Sequence, residues 1–153
     1  MKIERILAPI DFSEYSATGL MQAAELAKRF GAELLVLNVV QLRRAGPVPY
    51  FPAHPSGEVK KDTAYKIESF VSDVVPSNVR KAIEMRFLIS AGAPTAEIIR
   101  VADQEEVDII VMATHGRTGV EHAFRGSVAE KVVRLSRKPV WTVRKEALAF
   151  KRP

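Results

Sequence analysis

The sequence has no cysteine, which rules out disulfides, thiolate nucleophiles and cysteine-bound zinc. No apolar run is long enough to span a bilayer. The first residues, Met1 to Leu7, turn from charged to apolar, but Pro9 and Asp11 cut the apolar stretch short. They read as a first strand rather than a signal peptide, and a cytoplasmic protein is the expectation. Aromatics are sparse, with a single tryptophan, Trp141. Basic residues are not interleaved with aromatics as in a single-strand nucleic-acid binder, so nucleic acid is not an expected partner. The three histidines, His54, His115 and His122, have no metal-ligand spacing, and no Ser/His/Asp set can be defended from the sequence. No catalytic residue is assigned.

What is present is an ordinary globular composition: 47% hydrophobic and 27% charged over 153 residues. That length favours one domain. The formal net charge is +5, and the excess lies late in the chain. From Thr114 to Pro153 there are ten Lys/Arg against three Asp/Glu; the rest holds thirteen basic and fifteen acidic residues. An anionic partner near the C-terminal part, or simply a solvated helix face, accounts for this.

The order of apolar patterns is the main guide to the fold. Ile3 to Pro9 is a short apolar run. Ser13 can cap a helix whose Ala17, Leu20, Ala23, Ala24, Ala27 and Phe30 recur at helical spacing, with Gly31 ending it. Leu34 to Val40 is apolar on both faces, as a central parallel strand requires. Four prolines between Arg43 and Gly57 forbid regular structure and mark a long loop. A helix from about Glu58 to Val75 follows, with Ala64, Ile67, Val71 and Val74 on one face. Ile83 to Ile89 alternates with period two, the mark of a more exposed, edge-like strand. Gly92 and Pro94 lead into a helix carrying Ile98, Ile99, Val101 and Ala102. Val107 to Ala113 is a fourth strand, Ser127 to Ser136 a last helix, and Pro139 to Val143 a last strand.

Strands alternating with helices predict an α/β fold, a parallel sheet covered on both faces. In an open sheet of that kind ligands bind beyond the carboxyl ends of the strands. The loop after the fourth strand is the richest candidate. Gly116, Gly119 and Gly126 let backbone approach a ligand, and Arg117 and Arg125 supply charge. Ser127 and Glu130 form a capping box that sets a helix N-terminus, an anion site by its amides and dipole. The same stretch also reads as routine structure, and a Ser127 hydroxyl that caps its own helix is less free to touch phosphate. Asp11, just beyond the first strand, can accept from ribose hydroxyls or an adenine amino group, or can help cap the first helix.

With these residues the chain resembles the nucleotide-binding branch of the universal stress proteins. The resemblance rests on Ile6-Leu7-Ala8-Pro9-Ile10-Asp11-Phe12-Ser13, Leu37-Asn38-Val39-Val40, Gly92-Ala93-Pro94 and the stretch from Asp108 to Lys138. That branch carries G-x-x-G, nine residues, then G-[S/T]. Here Gly116, the nine residues Arg117 to Arg125, and Gly126-Ser127 fit it, whereas the first glycine is Ala113. If that position needs a positive φ, alanine costs ~1–2 kcal/mol; if it ends the strand with a negative φ, the methyl is tolerated.

The resemblance implies a Rossmann-like, open five-stranded sheet in the order 3-2-1-4-5, filling residues 1–145 ahead of a basic tail at 146–153. It implies ATP, with Mg²⁺ arriving on the nucleotide, held by Pro9, Asp11, Val39, Met112, Ala113, Gly116, Arg117, Gly119, Gly126, Ser127 and Val128. Asp11 would serve the adenosine end and the Val39 backbone the adenine edge; Val39 can be a core residue as well. The resemblance also implies a homodimer through the last strand, Val140 to Val143, where Trp141 is either an interface residue or part of the core. Three roles follow. One is a dimeric ATP-binding stress-response regulator with at most slow hydrolysis. Another is a nucleotide-free interaction module, whose mark would be loss of the glycines and Ser127, which are retained. The third is an ATP-dependent enzyme, for which the chain has little length left to build a second substrate site.

Overall fold

Five parallel strands form one sheet in the order β3-β2-β1-β4-β5. The computed structural model describes residues 2–41, 56–114 and 128–144. The strands are β1 Arg5–Ile10, β2 Glu33–Val40, β3 Met85–Ala91, β4 Ile109–Ala113 and β5 Val140–Val143. Between them lie α1 Glu14–Phe30, α2 Gly57–Val74, α3 Ser77–Arg80, α4 Pro94–Gln104 and α5 Val128–Leu135. The sheet order inferred by resemblance is the one observed. The proline-rich loop, the glycine loop and the basic tail lie outside the described residues.

Alternation along the strands divides the interior into two cores. Ile6, Ala8 and Ile10 pack with Leu20, Ala23, Ala24 and Ala27 of α1 and Ile67 and Val71 of α2. Leu7, Leu35 and Leu37 pack on the other face with Ile98, Val101 and Ala102 of α4 and Ala129 and Val132 of α5. β1 and β2 face both cores, so they read as continuous apolar runs. β3 stands at one edge and is mostly exposed or half-buried, as expected of an edge strand. No helix among the described residues is long and apolar enough to cross a membrane.

Helix α1 begins as expected: the Ser13 hydroxyl accepts the Ser16 N–H at 3.1 Å. It ends at Gly31, whose φ of 65° is easy only for glycine. Phe30, expected on the buried stripe, is 49% exposed instead, because that stripe runs out at the Gly31 cap. The single turn α3 went unread because it buries only Val79, too little for a period to show. Between α1 and β4 the backbones nearly touch: a Cβ on Gly19 would stand 2.9 Å from the Ala113 nitrogen.

Asp108, at the entry to β4, ties that strand to β1. One carboxylate oxygen accepts the backbone N–H groups of Glu4 and Arg5, at 2.7 and 2.9 Å. Burial by itself would push the Asp108 carboxyl up. The two N–H donors, with the charges of Lys138 and Arg5, outweigh it and hold the carboxyl below its usual value. A lowered folded pKa means that the ionised form stabilises the protein at neutral pH, and that this is lost as pH falls through that pKa. Asp108→Ala is therefore expected to cost about 1–2 kcal/mol at pH 7. The difference from the parent should begin to narrow below about pH 4, where the unfolded chain's carboxylate takes up its proton, and close only once the folded one does as well. Urea unfolding of both proteins at pH 7 and pH 3.5 measures this; a gap unchanged with pH would remove the carboxylate charge from the account.

Candidate functional site

The strand order turns outward from β1 in both directions, with β2 on one side and β4 on the other. At such a switch point the connections leave on opposite faces of the sheet, and a crevice opens over the strand ends. A cleft of about 1180 Å³ lies there. Six residues assigned from the sequence line it together: Pro9 and Asp11 from the end of β1, Val39 from β2, Met112 and Ala113 from β4, and Val128 from the start of α5. The other five, Gly116, Arg117, Gly119, Gly126 and Ser127, lie outside the described residues.

The turn at the end of β1 is tightly organised. Asp11 Oδ1 accepts the backbone N–H of Ser13 at 3.0 Å and the Ser13 hydroxyl at 2.5 Å. An aspartate bonded to the backbone two residues on is an Asx turn. Closing it sets Phe12 at φ 63°, a left-handed conformation that costs roughly 1–2 kcal/mol in a residue with a Cβ. Packing offsets part of that: the Phe12 ring meets Phe70 of α2 edge to face, centroids 5.6 Å apart. Asp11 thus braces the helix cap, as one of its two sequence readings expects, and it also lines the cleft.

Val39 likewise serves twice, packing on the second core while bordering the cleft. Ala113 carries no backbone strain. Among the described residues the non-glycine positions with positive φ are Phe12 and Glu106, so the cost weighed for alanine at 113 does not arise.

Several cleft residues were not picked out from the sequence as ligand-facing. Asn38 is buried, and its side-chain amide donates to the Ile10 carbonyl at 3.0 Å, fixing the end of β1 against β2. Its signal was present, one amide in an otherwise apolar strand. Ser16 donates its hydroxyl to the Ser13 carbonyl and accepts the Asp11 N–H. Thr63, Lys66, Ser69, Phe70 and Asp73 of α2 form another wall. No sequence signal distinguishes those polar positions from a solvated helix face.

A doubly wound parallel sheet with a cleft at its switch point is the class of protein that these features define. The chain belongs to the universal stress protein family, whose sequence pattern matches residues 2–144. It is 30% identical over 143 residues to universal stress protein MJ0531 of Methanocaldococcus jannaschii, an alignment covering 93% of this chain and 82% of that one. Among solved structures, that of hypothetical protein MJ0577 superposes with a TM-score of 0.70 at 25% identity, covering 95% of this chain and 98% of the other. Two further structures share the fold at lower identity. A universal stress protein in complex with cAMP has a TM-score of 0.66 and 20% identity, over 94% of this chain and 98% of that one. The universal stress protein from Archaeoglobus fulgidus in complex with dAMP has a TM-score of 0.63 and 23% identity, over 93% and 98%.

Proposed function

We propose that this cleft binds an adenine nucleotide, ATP accompanied by Mg²⁺, and that the protein acts as a cytoplasmic, homodimeric stress-response regulator with slow or no turnover. The observation that carries this reading is convergence. Residues from positions 9, 11, 39, 112, 113 and 128 meet at one cleft, beside the ends of the loop holding Gly116, Arg117, Gly119, Gly126 and Ser127. In this reading the backbone of Val39 meets the adenine edge, with Pro9 and Met112 supplying apolar contact. Asp11 accepts from the ribose hydroxyls. The glycines and the start of α5 receive the phosphates, whose negative charge suits a helix N-terminus.

Among the described residues no three of His, Asp or Glu come together as a metal cage. Mg²⁺ would be held chiefly by phosphate oxygens and water, as it commonly is. Two proteins of this fold carrying cAMP and dAMP are in keeping with a nucleotide site, though the likeness to them is one of fold.

Calorimetric titration with ATP and Mg²⁺ should show one site per chain. At a ligand concentration a hundredfold above Kd, binding adds about 2.7 kcal/mol to stability. For a chain of this size that raises the melting temperature by about 5–10 °C. No heat and no thermal shift at millimolar ATP would overturn the nucleotide reading and leave the nucleotide-free interaction module.

A further inference from the structure

The cleft opens on both faces of the sheet. Leu37, Ile98, Met112 and Ala129 line it from the second core, on the side of α4 and α5. Ile10 lines it from the first core, with Phe12 and Phe70, which pack against that core on the side of α1 and α2. Its volume of about 1180 Å³ exceeds the roughly 300–1,000 Å³ of an ordinary small-molecule site. The nucleotide reading places phosphates at the start of α5, and so draws on the α5 side. The α2 side is left over.

That side has a polar floor. Val36 and Ile67 belong to the first core. Asn38 follows Val36 by two residues on β2, and Thr63 precedes Ile67 by one turn of α2, so each keeps its neighbour's face. β2 and β3 are parallel and α2 connects them, so α2 runs back down the sheet. Its earlier turn therefore lies at the same end as Asn38, and both residues line the cleft. Thr63 is 6% exposed and Asn38 7%. Asn38 donates an amide N–H to the Ile10 carbonyl at 3.0 Å, which fixes the flip of the amide and leaves its oxygen as an acceptor. Neither that oxygen nor the Thr63 hydroxyl has a hydrogen-bond partner among the described residues, and neither is sealed off: the enclosed, unpartnered side-chain atom among those residues is Ser90 Oγ. Two polar atoms thus open into the cleft from nearly buried side chains. The charged α2 residues bordering the cleft, Lys66 and Asp73, are exposed instead.

We infer that the α2 side of the cleft is a second subsite, for an uncharged nucleobase next to the bound adenine nucleotide. This rests on the adenine-nucleotide reading above. A base edge supplies what the floor lacks. Adenine presents an amino group for the Asn38 oxygen and a ring nitrogen for the Thr63 hydroxyl. Its flat faces suit a wall that includes Phe70. A phosphate would meet the Asn38 acceptor where it needs a donor. The second base arrives either tethered, on a dinucleoside polyphosphate that shares the phosphate site, or free, as a nucleoside. Doubly wound sheets commonly take dinucleotides across such a crevice.

The test is calorimetric titration of the parent, Thr63→Val and Thr63→Ser with ATP and with diadenosine tetraphosphate, and of the ATP-saturated proteins with adenosine. Valine keeps the branched shape and removes the hydroxyl; serine keeps the hydroxyl. In the parent a tethered base makes the tetraphosphate bind about tenfold or more tightly than ATP, and a free one makes adenosine bind the ATP-saturated protein. Thr63→Val should shrink whichever gain is seen by about threefold to tenfold, the worth of one hydrogen bond, and Thr63→Ser should keep it. If the tetraphosphate binds no tighter than ATP and millimolar adenosine gives no heat, the α2 side takes no base and the inference falls. It falls equally if the gain survives Thr63→Val undiminished. Those outcomes leave ATP binding intact, whereas a parent that binds none of the three ligands overturns the underlying reading as well.

Discussion

Gly19→Ala is expected to destabilise the protein, although alanine normally gains about 1 kcal/mol over glycine inside a helix. Gly19 is a buried residue of α1 at φ values that alanine adopts freely, so propensity alone favours the substitution. Space reverses the sign. The new methyl carbon would lie 2.9 Å from the Ala113 nitrogen and 3.3 Å from the Met112 carbonyl carbon. Both neighbours are backbone atoms of β4, which is paired with β1 on one side and β5 on the other. Neither can swing aside as a flexible side chain would. Relief requires α1 to lift from the sheet, which loosens Leu20, Ala23 and Ala24 from their core. Overpacking of this kind costs typically 1–3 kcal/mol. That corresponds to a fall in melting temperature of roughly 2–12 °C. Met112 and Ala113 also border the cleft, so nucleotide affinity should fall with stability. Thermal unfolding of the variant, with and without ATP, is the measurement. A variant as stable as the parent would show that the helix and strand do not meet as closely as described.

Trp141→Glu is expected to convert a dimer into folded monomers. β5 is an edge strand, paired on one side with β4. Its four residues, Val140 to Val143, carry no charge, and Trp141 is 48% exposed. The core alternative for this tryptophan is thereby set aside, since a core ring would be covered within its own chain. Val143 alone on the strand is fully turned inward. The opposite edge differs: there Arg86 of β3 is engaged by Glu33 and Glu105, at 3.0 and 2.7 Å. Charge protects an edge from pairing, and an uncharged edge with a large apolar side chain invites it. Val133 and Leu135 of α5 are exposed as well. Two copies meeting antiparallel about a twofold axis would cover these groups and satisfy the free side of the strand. A glutamate buried there without a partner carries a heavy desolvation cost, enough to weaken association a hundredfold or more. Light scattering across a micromolar dilution series, with tryptophan fluorescence of the parent as a second signal, reads the outcome. A parent that is monomeric throughout would end the proposal, and a Trp141→Glu protein that stays dimeric would place the contact elsewhere.

Much of the fold was legible because burial on both faces leaves a plain mark. Leu34 to Val40 and Val107 to Ala113 are apolar on both faces but for Asn38 and Asp108, and helices indeed cover both faces of the sheet there. Ser13, Gly31 and Pro94 punctuate the helices through local backbone physics that acts within a few residues, so they can be read without knowing the fold. The edge position of β3 was legible from its mixed polarity, but the alternation itself does not survive in the fold: Phe87 is exposed and Ser90 buried. Where the pattern carried little apolar content, as in α3 or at Phe30, the reading missed.

By its residues alone the chain determined an alternating α/β architecture, the absence of thiol chemistry, and the glycine pattern that ties it to its family. The assignment of Asp11, Val39, Met112 and Ala113 to one site came from that resemblance, and only the folded sheet brings them to a common cleft. Tertiary structure alone decided that Phe12 adopts a left-handed turn, that Gly19 is the one small residue two backbones can tolerate, and that α2 supplies a wall of the cleft. Each of these depends on atoms far apart in the chain. Local propensity acts over a few residues, whereas steric contact and hydrogen bonding across the sheet exist only once the strands have been laid side by side.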